Sequence, residues 1–180
     1  MQGKVGLEEH FAIPETLSDS KGFLGDAVWP ELEKRLLDIQ DYRLRQMDEN
    51  GMELMLLSLN APAVQALPDP ARAAAIARRA NDFLAEEVRK RPRRFQGLAA
   101  LAMQDPDGAT RELVRCVKEL GFRGGFLRPN PYNDRKLHDP DYEPFWRAAE
   151  ALDFCIGLHE GGNSGMPTVG IDRFDGRGAQ

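Results

Sequence analysis

The chain has 180 residues, a net charge of −5, 42% apolar residues and 29% charged residues, which suits one soluble domain with a real core. The acidic balance argues against a nucleic-acid or anionic-membrane partner, and no apolar run approaches the roughly 20 residues of a membrane span. The N-terminus lacks the apolar stretch that follows the basic end of a secretory signal, so a cytoplasmic location is expected, with Cys116 and Cys155 as buried free thiols inside apolar patterns.

Strands and helices alternate along the chain. Residues 5–11 read as a first strand, followed by a polar loop over 13–26. Residues 29–50 read as helix, broken near Ile39 and closed at Gly51, a C-terminal cap. Residues 52–59 form a near-continuous apolar run, the pattern of a strand buried on both faces. The clearest helix spans 70–91, with Ile76, Ala80, Phe83, Leu84 and Val88 at helical spacing and Pro92 as its stop. Its basic end, Arg89 to Arg94, suits the negative end of a helix dipole. A third strand is predicted over 95–103. Asp105 and Pro106 then open a helix with Ala109, Leu113, Cys116, Val117 and Leu120 on its inner face. A fourth strand follows over 122–127, a polar loop over 128–141, a helix over 142–152 and a fifth strand over 154–159. A glycine-rich tail ends the chain.

This alternation implies a parallel α/β sheet with right-handed crossovers. An open doubly wound sheet and a barrel both fit. Neither a Gly-x-Gly-x-x-Gly loop after strand one nor a Gly-x-x-x-x-Gly-Lys loop is present, so nothing points to a nucleotide.

The segment Leu7-Glu8-Glu9-His10-Phe11 carries the most chemistry. Residues two apart in a strand share a face, so Glu8 and His10 project together. A strand this early in an α/β chain is expected to be buried on both faces, and a buried carboxylate beside an imidazole needs a partner or a metal. Such donors suit Zn²⁺, Mn²⁺ or Fe²⁺. A strand end with both side chains in solvent is the competing reading. His159 ends strand five, where barrels place catalytic groups, and His10 holds the equivalent place on strand one. The third histidine, His138, falls in a polar loop and reads as solvated.

Val5-Gly6-Leu7-Glu8-Glu9-His10-Phe11 resembles the opening of the aromatic-acid decarboxylases of the amidohydrolase superfamily, with resorcylate and dihydroxybenzoate decarboxylases nearest. The likeness continues through Leu37-Asp38-Ile39-Gln40-Asp41, Arg43-Leu44, Met47-Asp48 and Leu57-Ser58-Leu59-Asn60-Ala61-Pro62. It runs on through Ala77-Arg78-Arg79-Ala80-Asn81-Asp82 and Gln104-Asp105-Pro106-Asp107. Farther on, Arg128-Pro129-Asn130-Pro131 and His159-Glu160-Gly161-Gly162 resemble a neighbouring group of amidohydrolase-related proteins.

The resemblance implies a TIM-type (β/α)₈ barrel, here incomplete with about five βα units. Residues 1–180 would form that single, C-terminally truncated domain. It implies one divalent metal ion, Zn²⁺ or Mn²⁺, held by Glu8, His10 and His159, and no organic cofactor. The implied activity is non-oxidative decarboxylation of a hydroxylated aromatic carboxylic acid. The family's acid/base residues on later strands have no counterpart in this sequence. A small aromatic acid is the expected partner, and a homo-oligomer the expected assembly. Phe23 in the loop after strand one, Asn60 at the end of strand two, and Arg128 and Asn130 after strand four are the candidate substrate-binding residues. Glu160 stands where most such decarboxylases have proline, which keeps a lactone or amide hydrolase as a second reading. An inactive partial barrel is the third. Residues 161–165 read either as an active-site loop or as a chain end.

Overall fold

Helix starts along the chain are set by aspartate caps and prolines. Asp69 accepts hydrogen bonds from the backbone N–H groups of Ala71 (3.0 Å) and Arg72 (3.4 Å), and Asp105 accepts one from Gly108 (3.0 Å). Proline follows each cap, where its missing N–H costs nothing. A computed structural model describes residues 3–23, 26–128 and 135–159, without the side chains of Gly22 and Phe23. The strands are β1 (Lys4–Phe11), β2 (Met52–Leu59), β3 (Phe95–Ala99), β4 (Gly124–Leu127) and β5 (Cys155–Leu158). The helices are α1 (Trp29–Leu37), α2 (Tyr42–Glu49), α3 (Pro70–Lys90), α4 (Pro106–Lys118) and α5 (Glu143–Ala151), with 3₁₀ turns at Leu17–Phe23, Ala63–Ala66 and Pro140–Tyr142.

The predicted helix over 29–50 is two helices, and the break near Ile39 has a local cause. The carboxylate of Asp38 accepts from the N–H groups of Asp41 and Tyr42, both at 2.9 Å. That satisfies the first donors of α2 and ends α1. Gly51 (φ 65°) and Gly121 (φ 77°) turn the chain in the left-handed region after α2 and α4, where a Cβ would be strained. β3 stops at Ala99 rather than 103. The Asn81 side chain takes over there, accepting from Ala100 N (2.8 Å) and donating to Ala100 O (2.9 Å).

All strands are parallel and their spatial order is β1-β2-β3-β4-β5. Each strand neighbours the next in sequence, so the sheet never reverses direction of growth. That decides against the doubly wound alternative, whose strand order switches. The structure is an incomplete barrel with helices outside, and its two edges are β1 and β5 among the described residues. Its core packs Phe11, Leu57, Leu84, Phe95, Leu113 and Phe145. Each such side chain contributes roughly 1.5–3 kcal/mol on full burial.

Two expectations about burial are corrected. β1 is not buried on both faces: Val5 is 49% and Leu7 64% exposed, because β1 is an edge strand that pairs only with β2. Cys116 is buried as expected, but Cys155 is exposed, since it begins the other edge strand. Among the described residues no helix is long and apolar enough to cross a membrane.

Candidate metal centre

Glu8 and His10 stand two apart on β1, at its C-terminal end. His10 lies directly opposite Ser58 in the β1–β2 register, and its Nδ1 is 2.9 Å from the Ser58 hydroxyl. His159 follows β5, and its backbone N–H donates to Leu127 O (2.8 Å), one step beyond the β4–β5 ladder. That bond sets the direction in which its side chain leaves the sheet. The ring comes back across the sheet to β1, where Nε2 is 2.8 Å from Glu8 Oε1. Phe126 packs on His159 in a T-shaped contact, ring centroids 5.8 Å apart at 82°.

One ligand atom each from Glu8, His10 and His159 lie within 4.8 Å of one another. Atoms bound to one ion at about 2.1 Å stand roughly 3–4 Å apart, so small side-chain rotations complete a coordination geometry. One carboxylate oxygen and two imidazole nitrogens suit a borderline divalent ion. Burial, then the neighbouring His159, holds the His10 pKa below its ordinary value, with Glu8 opposing. His10 is therefore neutral at pH 7, the form with a lone pair to give. Because Nδ1 faces Ser58, Nε2 is the ring nitrogen that could hold a metal. The residues present fit a divalent metal.

Beside this cluster lies a cleft between the strand ends, lined by Ser58, Gln65, Phe126 and Arg128, with Pro62 and Ala63 as an apolar wall. Arg128 is 8% exposed and reaches the cleft with His10 and His159. Asn60 is buried, and both amide hydrogens are committed within the chain. Nδ2 donates to Thr16 O and Ser20 Oγ, each at 2.8 Å, while Oδ1 accepts from the Thr16 hydroxyl. Asn60 thus ties the segment after β1 to the end of β2. Phe23 ends a 3₁₀ turn, but its side chain lies outside the described residues, as do Asn130, Glu160 and residues 161–165. His138 is exposed in a turn and takes no part in the cluster.

Sequence reasoning passed over Ser58, Arg43 and Phe126. Ser58 had a signal, as the one hydroxyl within the apolar run of β2. Arg43, at the start of α2, had none, because its partners are backbone carbonyls of His10 and Arg35.

Comparison with known proteins adds an independent line. A family model described as Amidohydrolase matches residues 16–177. The gamma-resorcylate decarboxylase of Polaromonas sp. (strain JS666 / ATCC BAA-500) is 60% identical over 164 residues, and that of Rhizobium sp. (strain MTP-10005) 59%. Each alignment covers 88% of this chain and 50% of the relative. A solved dihydroxybenzoic acid decarboxylase from Polaromonas sp. JS666, with bound manganese and the inhibitor 2-nitroresorcinol, superposes with a TM-score of 0.87 and 54% identity, covering 98% of this chain and 54% of that one. A 2,6-dihydroxybenzoate decarboxylase complexed with 2,6-dihydroxybenzoate gives 0.86 and 53%, covering 99% and 56%. The chain spans about half the length of the curated relatives it matches.

Proposed function

The chain belongs to the amidohydrolase family, and from that membership we propose that it carries the metal-binding part of an enzyme that decarboxylates a hydroxylated aromatic acid without an organic cofactor. The observation that carries this reading is the convergence of Glu8, His10 and His159 from opposite edges of the sheet. The set gathers one carboxylate and two imidazoles, the donor types a borderline divalent ion takes, at the C-terminal strand ends where barrels build their sites. Manganese is the favoured ion, supported by the bound manganese of the solved relative. A divalent ion held there supplies Lewis-acid polarisation and a template for a carboxylate and an adjacent phenolic oxygen.

The chain's own residues do the rest of what this half contributes. Burial favours the neutral form of His10, and the Ser58 hydroxyl orients its ring. Arg128 offers a guanidinium beside the cluster, and guanidinium pairs with carboxylate more strongly than a neutral donor does. Asn130 and the ring of Phe23 are further substrate contacts in this proposal. Asn60 acts indirectly, by anchoring the segment that leads to Phe23. The apolar wall of Pro62 and Ala63 excludes water from one side of the aromatic ring. Exposed Val5, Leu7 and Leu158 on the two edge strands support association of copies.

The test is CO₂ release from a panel of hydroxybenzoates, 2,6-dihydroxybenzoate included, with Mn²⁺ supplied. Release that disappears with a chelator supports the reading. Turnover of lactones or amides with no CO₂ from any acid would replace it with a hydrolase.

A further inference from the structure

Arg43 is a buried arginine with no ion pair among the described residues. Its Nη2 donates to two backbone carbonyls, His10 O at 2.5 Å and Arg35 O at 2.7 Å, while Nε is buried without a partner. Burying a guanidinium costs several kcal/mol unless something compensates. The compensation comes from the carboxylates of Glu9 and Asp38 nearby and from the last turn of α1, the negative end of the helix dipole. A second bond, Ala12 N–H to Leu36 O (3.0 Å), runs alongside. The end of β1 is therefore lashed to the end of α1.

The direction of the His10 carbonyl explains why a donor is needed there. Phe11 O accepts from Asn60 N–H (2.8 Å), which places the Phe11 peptide toward β2. Successive peptides along a strand point to opposite edges, so the His10 carbonyl points away from β2. No described strand pairs on that side. Arg43 satisfies the carbonyl and fixes the backbone from which the His10 side chain springs. At the other end of the same residue, the Ser58 hydroxyl meets ring Nδ1 at 2.9 Å. Ser58 is itself 4% exposed and opposite His10 in register, so the hydroxyl has little freedom to leave.

We propose that Arg43 and Ser58 are positioning residues of the metal centre, holding His10 by its carbonyl and by its ring so that Nε2 is aimed at the ion. This rests on the reading that Glu8, His10 and His159 hold a divalent metal. Outer partners of ligand histidines typically change metal affinity by about 10- to 100-fold when removed.

The test compares the parent with Arg43→Lys, Arg43→Met and Ser58→Ala by calorimetric titration with Mn²⁺, beside melting of the metal-free proteins. Nitrogen NMR of the metal-free histidines is recorded as well. The expected result is a Kd raised about 10-fold or more in Ser58→Ala and Arg43→Met, with partial recovery in Arg43→Lys, which keeps a cationic donor. The His10 Nδ1 signal moves in Ser58→Ala. A Kd within twofold of the parent in both Arg43→Lys and Ser58→Ala, or a lower Tm with an unchanged Kd, overturns the proposal; these two variants decide it if Arg43→Met does not fold. A parent that binds no Mn²⁺ overturns the metal reading itself, an outcome distinct from a parent that binds and variants that bind equally.

Discussion

The imidazoles of His10 and His159 lie 5.6 Å apart, centroid to centroid, although their strands are opposite edges of a five-stranded sheet. Neighbouring strands are about 4.8 Å apart, so a flat sheet would separate the first and fifth by about 19 Å. The contact therefore measures the curl of the sheet. Curl brings the C-terminal strand ends around one point, and the candidate metal-binding side chains gather at that point.

Metal should stabilise the fold through this contact. Mn²⁺ at a hundred times its Kd is expected to add about 2.7 kcal/mol, read as a rise in Tm that a chelator reverses. His10→Ala and His159→Ala should lose the rise, and His138→Ala, away from the cluster, should keep it. An equal rise in all three would mean that the ion binds elsewhere.

Gly157 is expected to tolerate no side chain. A Cβ there would overlap the ring of Phe126, and that ring is the one packed on His159. Gly157→Ala should cost about 1–3 kcal/mol through overpacking and also weaken Mn²⁺ binding, because Phe126 must shift against His159, a proposed ligand. Denaturant titration and metal titration check the two effects separately. Lost stability with unaltered metal affinity would show that Phe126 does not position His159.

The two cysteines should react differently. Cys155 is exposed on β5, whereas Cys116 is buried, and burial pushes its thiol pKa up. A thiolate-selective reagent should therefore modify one thiol in the native protein, mapped to Cys155 by mass spectrometry, and both only after unfolding. Native labelling at Cys116 would contradict the packing of α4.

Tyr142 gives the fold an alkaline limit. Its hydroxyl donates to Met103 O at 2.6 Å, and burial pushes its pKa up to about 12. The unfolded phenol ionises near 10. Between those values the unfolded state gives up the proton first, so stability falls as pH rises. Tyr142→Phe should lose about 1 kcal/mol at pH 8, with the gap to the parent narrowing by pH 11. Parallel pH profiles in denaturant melts would rule out this linkage.

Much of the architecture was legible because it is written locally. Asp69-Pro70 and Asp105-Pro106 announce helices through caps that act within three residues. The spacing of Ile76, Ala80 and Leu84 announces a buried face because helical geometry repeats every 3.6 residues. Glu8 and His10 could be paired on one face from their spacing alone. The strand order was not readable this way, and the doubly wound and barrel readings had the same alternation. The burial of β1 was misjudged for a related reason: an alternating or apolar stretch looks the same at an edge as in the middle.

The sequence by itself determined the α/β alternation, the helix limits and the residue types that could hold a metal, because those properties depend on neighbours a few residues away. The tertiary structure decided the rest. It exposed Leu7 and Cys155 on edge strands, spent the Asn60 amide on Thr16 and Ser20, put Arg43 on the His10 carbonyl and brought His159 to Glu8. Each depends on the order and curl of the strands, which set distances between residues far apart in the chain and leave no local pattern in it.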